Sequence, residues 1–116
     1  MMDQTGPILR LFEVQTKPGC AAKLLDSFAT TSAAVVMGRP GNQGYFFGRE
    51  IEAEGDKVMF VSVWANLDAI KAHFGETWQQ SFLPPGYEEM IAHCSIRHVD
   101  LSGGWHVDGA LTSREA

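Results

Sequence analysis

The chain is poor in cysteine, in clustered basic residues and in long apolar runs. Only Cys20 and Cys94 occur among 116 residues, too few for a disulfide framework and not in a CxxC spacing. Lys and Arg number 9 against 14 Asp and Glu, a formal charge of −5. With no Lys/Arg cluster either, nucleic acid is not an expected partner. No apolar run approaches the roughly 20 residues that span a bilayer, so neither a transmembrane helix nor a membrane partner is expected. The opening Met1-Met2-Asp3-Gln4-Thr5 lacks a basic region followed by an apolar stretch, so no secretory signal is expected. These absences together point to a reduced, cytoplasmic protein. The four histidines, His73, His93, His98 and His106, show no ligand spacing, which predicts no metal site. No phosphate loop, dinucleotide fingerprint or nucleophile elbow is present.

What is present suits a folded domain: 45% apolar and 20% charged residues. The length suits a single domain over residues 1–104, with a polar tail over 105–116 in which Trp105 and Val107 are candidate anchors. Pro7 to Gln15 reads as a first strand, closed by the turn signal Lys17-Pro18-Gly19. From Cys20 the period changes. Leu24, Leu25, Phe28, Ser32, Val35 and Val36 recur at helical spacing up to Gly38, and Cys20 reads as a small residue at the helix start. Gly44 to Glu54 is a second strand, Glu54 to Lys57 a turn of hairpin length, and Val58 to Ala65 a third strand. Asn66 is a plausible N-cap for a short helix with Leu67, Ile70 and Phe74 on its buried stripe, ending at Gly75. Thr77 to Leu83 reads as a helical turn broken by Pro84-Pro85-Gly86, Tyr87 to Ala92 as another turn, and Cys94 to Leu101 as a fourth strand.

The order βαββαβ predicts an α+β, ferredoxin-like fold with four antiparallel strands and both helices on one face. Large apolar residues occupy both alternating sets of strands one to three, including Phe12 and Val14 against Leu9 and Leu11, and Phe60 and Trp64 against Val61 and Val63. A sheet apolar on both faces needs two covers. The expected second cover is another copy of the chain, in a homodimer through the sheet faces.

Three pieces resemble a known family: Phe12-Glu13-Val14 leading to Lys17-Pro18-Gly19, then Arg39-Pro40-Gly41-Asn42-Gln43-Gly44-Tyr45, then Val61-Ser62-Val63-Trp64-Ala65-Asn66-Leu67-Asp68-Ala69-Ile70-Lys71-Ala72-His73. From about Ile8 to Leu101 the chain resembles the antibiotic biosynthesis monooxygenase family of dimeric α/β-barrel proteins. The resemblance implies an enzyme that oxidises an aromatic, phenolic or quinol-like small molecule with O₂ and no cofactor. The family also holds haem-degrading members, which use an Asn on the first strand and a Trp on the second helix. Arg10 and His73 stand at those positions here, so haem degradation is not expected. A non-catalytic small-molecule binder or stress-linked dimer is the alternative.

A cofactor-free oxygenase needs one base, one or two donors and an apolar pocket. His73 borders the buried stripe of its helix and is the expected base or anchor, since imidazole exchanges protons near neutral pH. The alternative is a histidine placed at a helix C-terminus for the dipole. Arg10 lies among Ile8, Phe12 and Val14 on one strand face and is the expected charge stabiliser, the alternatives being a structural ion pair or simple exposure at a strand end. Trp64, Trp78, Phe12, Phe47 and Tyr87 are the expected substrate-binding walls, against plain core packing for each.

Overall fold

The computed structural model of the chain describes residues 6–51, 56–104 and 106. The turn at Glu54-Gly55 and the anchors Trp105 and Val107 lie outside the described residues. Strand β1 spans Ile8–Thr16, β2 Asn42–Arg49, β3 Lys57–Trp64 and β4 Ile91–Asp100. They form one antiparallel sheet in the order β2-β3-β1-β4. The long strands β1 and β3 occupy the centre, and the fold is ferredoxin-like with an open sheet. β4 begins earlier than its apolar pattern suggests, because Ile91 pairs with Thr16 across a register shift that the sequence does not signal.

β1 alternates strictly. Ile8, Arg10, Phe12, Val14 and Thr16 are buried, and the residues between them are half-buried. On β3 the inward set is Val58, Phe60, Ser62 and Trp64. Side-chain period two therefore stacks residues into rows across the sheet. Phe47, Phe60, Phe12 and Ile96 form one apolar row, and Tyr45, Ser62, Arg10 and His98 form the polar row beside it.

The helices cover this inner face. α1 (Ala21–Ser27) runs through a wide π turn (Phe28–Ser32) into α2 (Ala33–Val36), where the sequence period predicts one regular helix. The buried residues Ala21, Leu24, Phe28, Ser32 and Val36 still share the predicted face. Phe28 is fully buried and meets Phe12, Phe47, Phe60 and Tyr87 at centroid distances of 5.5–6.3 Å. The second helix, α3 (Leu67–Phe74), starts as expected: Asn66 accepts a hydrogen bond from the Ala69 amide at 2.8 Å, and Asp68 sits in the first turn.

Ahead of β2, Gly41 lies against α3. Its φ is +86°, and a Cβ there would stand 2.4 Å from the Ala69 methyl carbon. Its carbonyl accepts from the Ala65 amide at 2.7 Å. Position 41 therefore needs both a left-handed backbone and the absence of a side chain.

The outer face carries Leu9, Leu11, Phe46, Met59, Val61, Val63 and Val99, and Phe46 and Val99 are 43% and 45% exposed. No helix among the described residues is long and apolar enough to cross a membrane.

Candidate active site

Arg10 is the charged residue in the wall of a cavity between the sheet and the helices. The cavity is lined by Arg10, Phe12, Ser32, Val35, Val36, Phe60, Ser62, Phe74, Phe82, Pro84 and Ile96. β1 aims Arg10 inward for the same reason that it buries Phe12, the alternation of the strand. Its guanidinium carbon stands 3.9 Å from the centre of the Phe74 ring. Only 5% of the residue remains exposed.

A buried guanidinium ordinarily has a carboxylate beside it. Arg10 has none: the ion pairs among the described residues are Arg49–Asp56 and Arg97–Glu13. Its partners are neutral. Nη1 donates to the Trp78 carbonyl at 2.6 Å and to His98 Nε2 at 2.9 Å, and Nη2 donates to the Gln80 carbonyl at 3.2 Å. Burial alone lowers the Arg10 pKa to about 10, so the group stays charged at neutral pH.

His98 completes the polar row. Because Arg10 has no lone pair to offer, Nε2 of His98 is the acceptor and Nδ1 carries the hydrogen. Burial, and then the positive charge of Arg10, push its pKa down to about 4. The ring is therefore neutral at physiological pH, and it packs edge-on against Trp78 at 5.0 Å. On the other flank, Ser62 Oγ accepts the Trp64 indole N–H at 2.9 Å. Ser32 Oγ lies 2.6 Å from the Tyr87 hydroxyl, which also reaches the Ser27 carbonyl at 3.1 Å.

The expected site residues divide. Arg10 and Phe12 line the cavity. Trp78 is absent from the lining; its carbonyl accepts from Arg10, and Lys71 Nζ lies 5.6 Å from its ring centre. Tyr87 stands behind Ser32, and Phe47 stacks on Phe60 at 6.0 Å within the core. Trp64 is fully buried behind Ser62.

His73 is absent from the cavity lining. Its ring stacks on Trp64 at 5.3 Å, and its Nε2 donates to the Val35 carbonyl at 2.8 Å, joining α3 to α2. The structure thus does not bring His73 and Arg10 to one cavity. The residue that stands beside Arg10 is His98, which the sequence shows only as one of four scattered histidines. The signal that finds it is the β1–β4 register, and single-sequence periodicity does not report that pairing.

The space is small, about 40 Å³, room for about three water molecules. None of the lining residues is a His, Cys, Tyr or Met, and His98 Nε2 is occupied by Arg10. Among the described residues the cavity therefore offers a haem iron no axial ligand. Among the described residues no three His, Cys, Asp or Glu side chains gather closely enough to hold a metal ion.

A four-stranded antiparallel sheet with its helices on the inner face defines an α+β ferredoxin-like protein. The model of the antibiotic biosynthesis monooxygenase family matches residues 7–83, and the chain belongs to that family. No curated protein sequence matches it.

Solved structures share the fold. A Caulobacter crescentus protein named as a candidate antibiotic biosynthesis monooxygenase superposes with a TM-score of 0.63 at 25% identity, over 84% of this chain and 91% of that one. A Pseudomonas aeruginosa protein superposes with 0.61 at 15% identity, over 85% and 97%. The heme-degrading protein of Mycobacterium tuberculosis gives 0.61 at 20% identity, over 89% and 97%.

Proposed function

We propose that the protein is a cofactor-independent monooxygenase that oxidises a phenolic or quinol-like aromatic molecule with O₂ in the Arg10 cavity. The observation that carries this reading is a buried guanidinium that meets no carboxylate among the described residues, set among Phe12, Phe60, Phe74 and Phe82 in a member of this family. An ionised phenol is electron-rich enough to reduce O₂. A fixed cation in a water-poor site favours that anion over its neutral form and stabilises the negative charge that develops on oxygen.

The balance needs no outside reductant. A ring methylene becomes a carbonyl, one oxygen atom of O₂ enters the product, and the other leaves as water with the two hydrogens. Ser62 and Ser32 offer hydroxyl groups to the same space. His73 acts in this reading as a positioning residue, holding Val35 in the cavity wall through its carbonyl.

The same reading includes a homodimer. Leu9, Leu11, Phe46, Met59 and Val99 would be covered by the identical face of a second copy, as an isologous interface requires. The small volume of the cavity favours one competing reading, a protein whose interior is packed shut and which binds without catalysis.

Oxygen uptake with a panel of hydroquinones and anthrones decides between them. Uptake above the spontaneous rate is expected, falling about 100-fold or more in Arg10→Met, as when one oxyanion donor is removed. His73→Ala is expected to keep the rate within about tenfold, as for a residue one step removed from the reacting atoms. Uptake that is equal in wild type and Arg10→Met refutes the assignment of Arg10. Failure of every substrate in the panel favours the binding protein.

A further inference from the structure

The guanidinium that floors the cavity is also the clasp of the segment that roofs it. Residues 76–85 leave the end of α3, cross above β1 and β4, and return at Gly86 to the short 3₁₀ turn Tyr87–Glu89. Two of their carbonyls, those of Trp78 and Gln80, are held by Arg10. Two of their side chains, Phe82 and Pro84, form part of the cavity lining.

The remaining backbone hydrogen bonds of the segment are local. Trp78 N donates to the Gly75 carbonyl, Gln80 N to the Thr77 carbonyl, and Tyr87 N to the Pro84 carbonyl. From the sheet, besides Arg10, the His98 ring meets the Trp78 ring at 5.0 Å and a weak Cys94 Sγ to Ser81 Oγ contact at 3.8 Å reaches Ser81. Phe82 is 52% exposed although it borders an apolar space. Trp78 and Leu83 pack against the core and Pro84 is buried, so the half-exposed Phe82 end is the part that opens most cheaply once the clasp is removed.

The volume requires it to lift. The cavity, partly open to the surface, holds about 40 Å³, whereas a pocket for a drug-sized ligand holds on the order of 300 Å³ or more. An aromatic ligand therefore has to displace the Phe82 end of the segment. The carbonyls that fasten that end are neutral acceptors on a cation with no carboxylate partner among the described residues. A carboxylate or a phenolate oxygen is a stronger acceptor for the same N–H groups, and a carboxylate matches the guanidinium fork with two parallel bonds. A neutral ring offers nothing that competes.

We propose that residues 76–85 are a lid latched by Arg10, and that an aromatic monoanion opens it by taking the Nη1 and Nη2 donors from the Trp78 and Gln80 carbonyls. The cavity favours flat anionic ligands, phenolates among them, over neutral ones of the same shape. Ser62, the cross-strand neighbour of Arg10, already accepts from the Trp64 indole, which leaves its own hydroxyl hydrogen for the ligand oxygen. His98 keeps its hold on Nη1 from the β4 side and sets the plane of the fork. The proposal builds on the cavity as the ligand site and is independent of the oxidation step.

The test uses the full chain and three probes: 1-naphthoate, anthracene-9-carboxylate and the neutral 1-naphthamide. Calorimetric titration is expected to show the carboxylates binding about tenfold or more tighter than the amide, the margin of one charge-assisted hydrogen bond. Hydrogen exchange followed by mass spectrometry is expected to speed up in the 76–85 peptide when 1-naphthoate binds. Arg10→Met should abolish the preference for the carboxylate and should show fast exchange in that peptide without ligand.

Equal affinity for amide and carboxylate overturns the proposal. So does the absence of carboxylate binding at millimolar concentration, or binding with unchanged exchange. The wild-type comparison decides the matter even if Arg10→Met does not fold. Naphthoate binding with lid opening but no oxygen uptake by any quinol supports the latch and sinks the oxygenase reading. Uptake with neutral quinols and no charge preference does the reverse.

Discussion

Acidification should destabilise the protein specifically through His98. In the folded chain the ring is held neutral by burial and by Arg10 at 2.9 Å, with its pKa lowered from 6.5 to about 4. In the unfolded chain the ring protonates near its ordinary value. Between those two values the unfolded state binds a proton that the folded state refuses, so stability present at neutral pH is lost as the pH falls. The full shift corresponds to about 3 kcal/mol. The ring is only half-buried, and solvent screening reduces the expected loss to about 1.5 kcal/mol. The assay is urea unfolding near pH 7 and near pH 4.5 for wild type and for His98→Gln, which retains an acceptor for Arg10 and does not titrate. All other groups cancel in the double difference. The wild type should lose about 1.5 kcal/mol more than the variant over that interval. Parallel pH profiles for the two proteins would refute the placement of a neutral His98 against a charged Arg10.

Two further perturbations probe the frame of the site. Gly41→Ala forces a side chain into a φ of +86° and against the Ala69 methyl carbon. It should cost about 2–4 kcal/mol, read as a fall in Tm by differential scanning calorimetry; an unchanged Tm would show that the β2–α3 approach is looser than described. Phe46→Glu places a charge on the exposed outer face. It should leave the Tm of an isolated chain nearly unchanged but convert a sheet-to-sheet dimer to monomers in sedimentation equilibrium. A wild type that sediments as a monomer refutes the dimer directly.

Most of the fold was legible because its determinants are local. The alternation from Ile8 to Val14 exists in the sequence and buries the same residues in the sheet. The Asn66 cap and the Leu67, Ile70 and Phe74 stripe likewise need no tertiary information. Part of the candidate site was legible for the same reason. Arg10 and Phe12 belong to the inward set of β1, so any packing of that face carries them to the cavity. His73 shows the limit of the method. A helical period says that a residue borders the buried stripe but not which neighbour it meets, and here the neighbours are Trp64 and the Val35 carbonyl.

The sequence by itself determined the order of strands and helices and that Arg10 shares one β1 face with Ile8, Phe12 and Val14, but it left open which face is inward and whether the cation is buried. Period and polarity are properties of neighbouring residues, and they survive without the rest of the molecule. Only the tertiary structure decided that His98 stands against Arg10. The two residues are 88 positions apart, and a register slip of one residue in the β1–β4 pairing would turn the ring to the opposite face. The same holds for the latch on residues 76–85. Its clasp is made by backbone carbonyls, which every residue possesses and no sequence pattern marks, and it forms where the end of α3 is brought over β1.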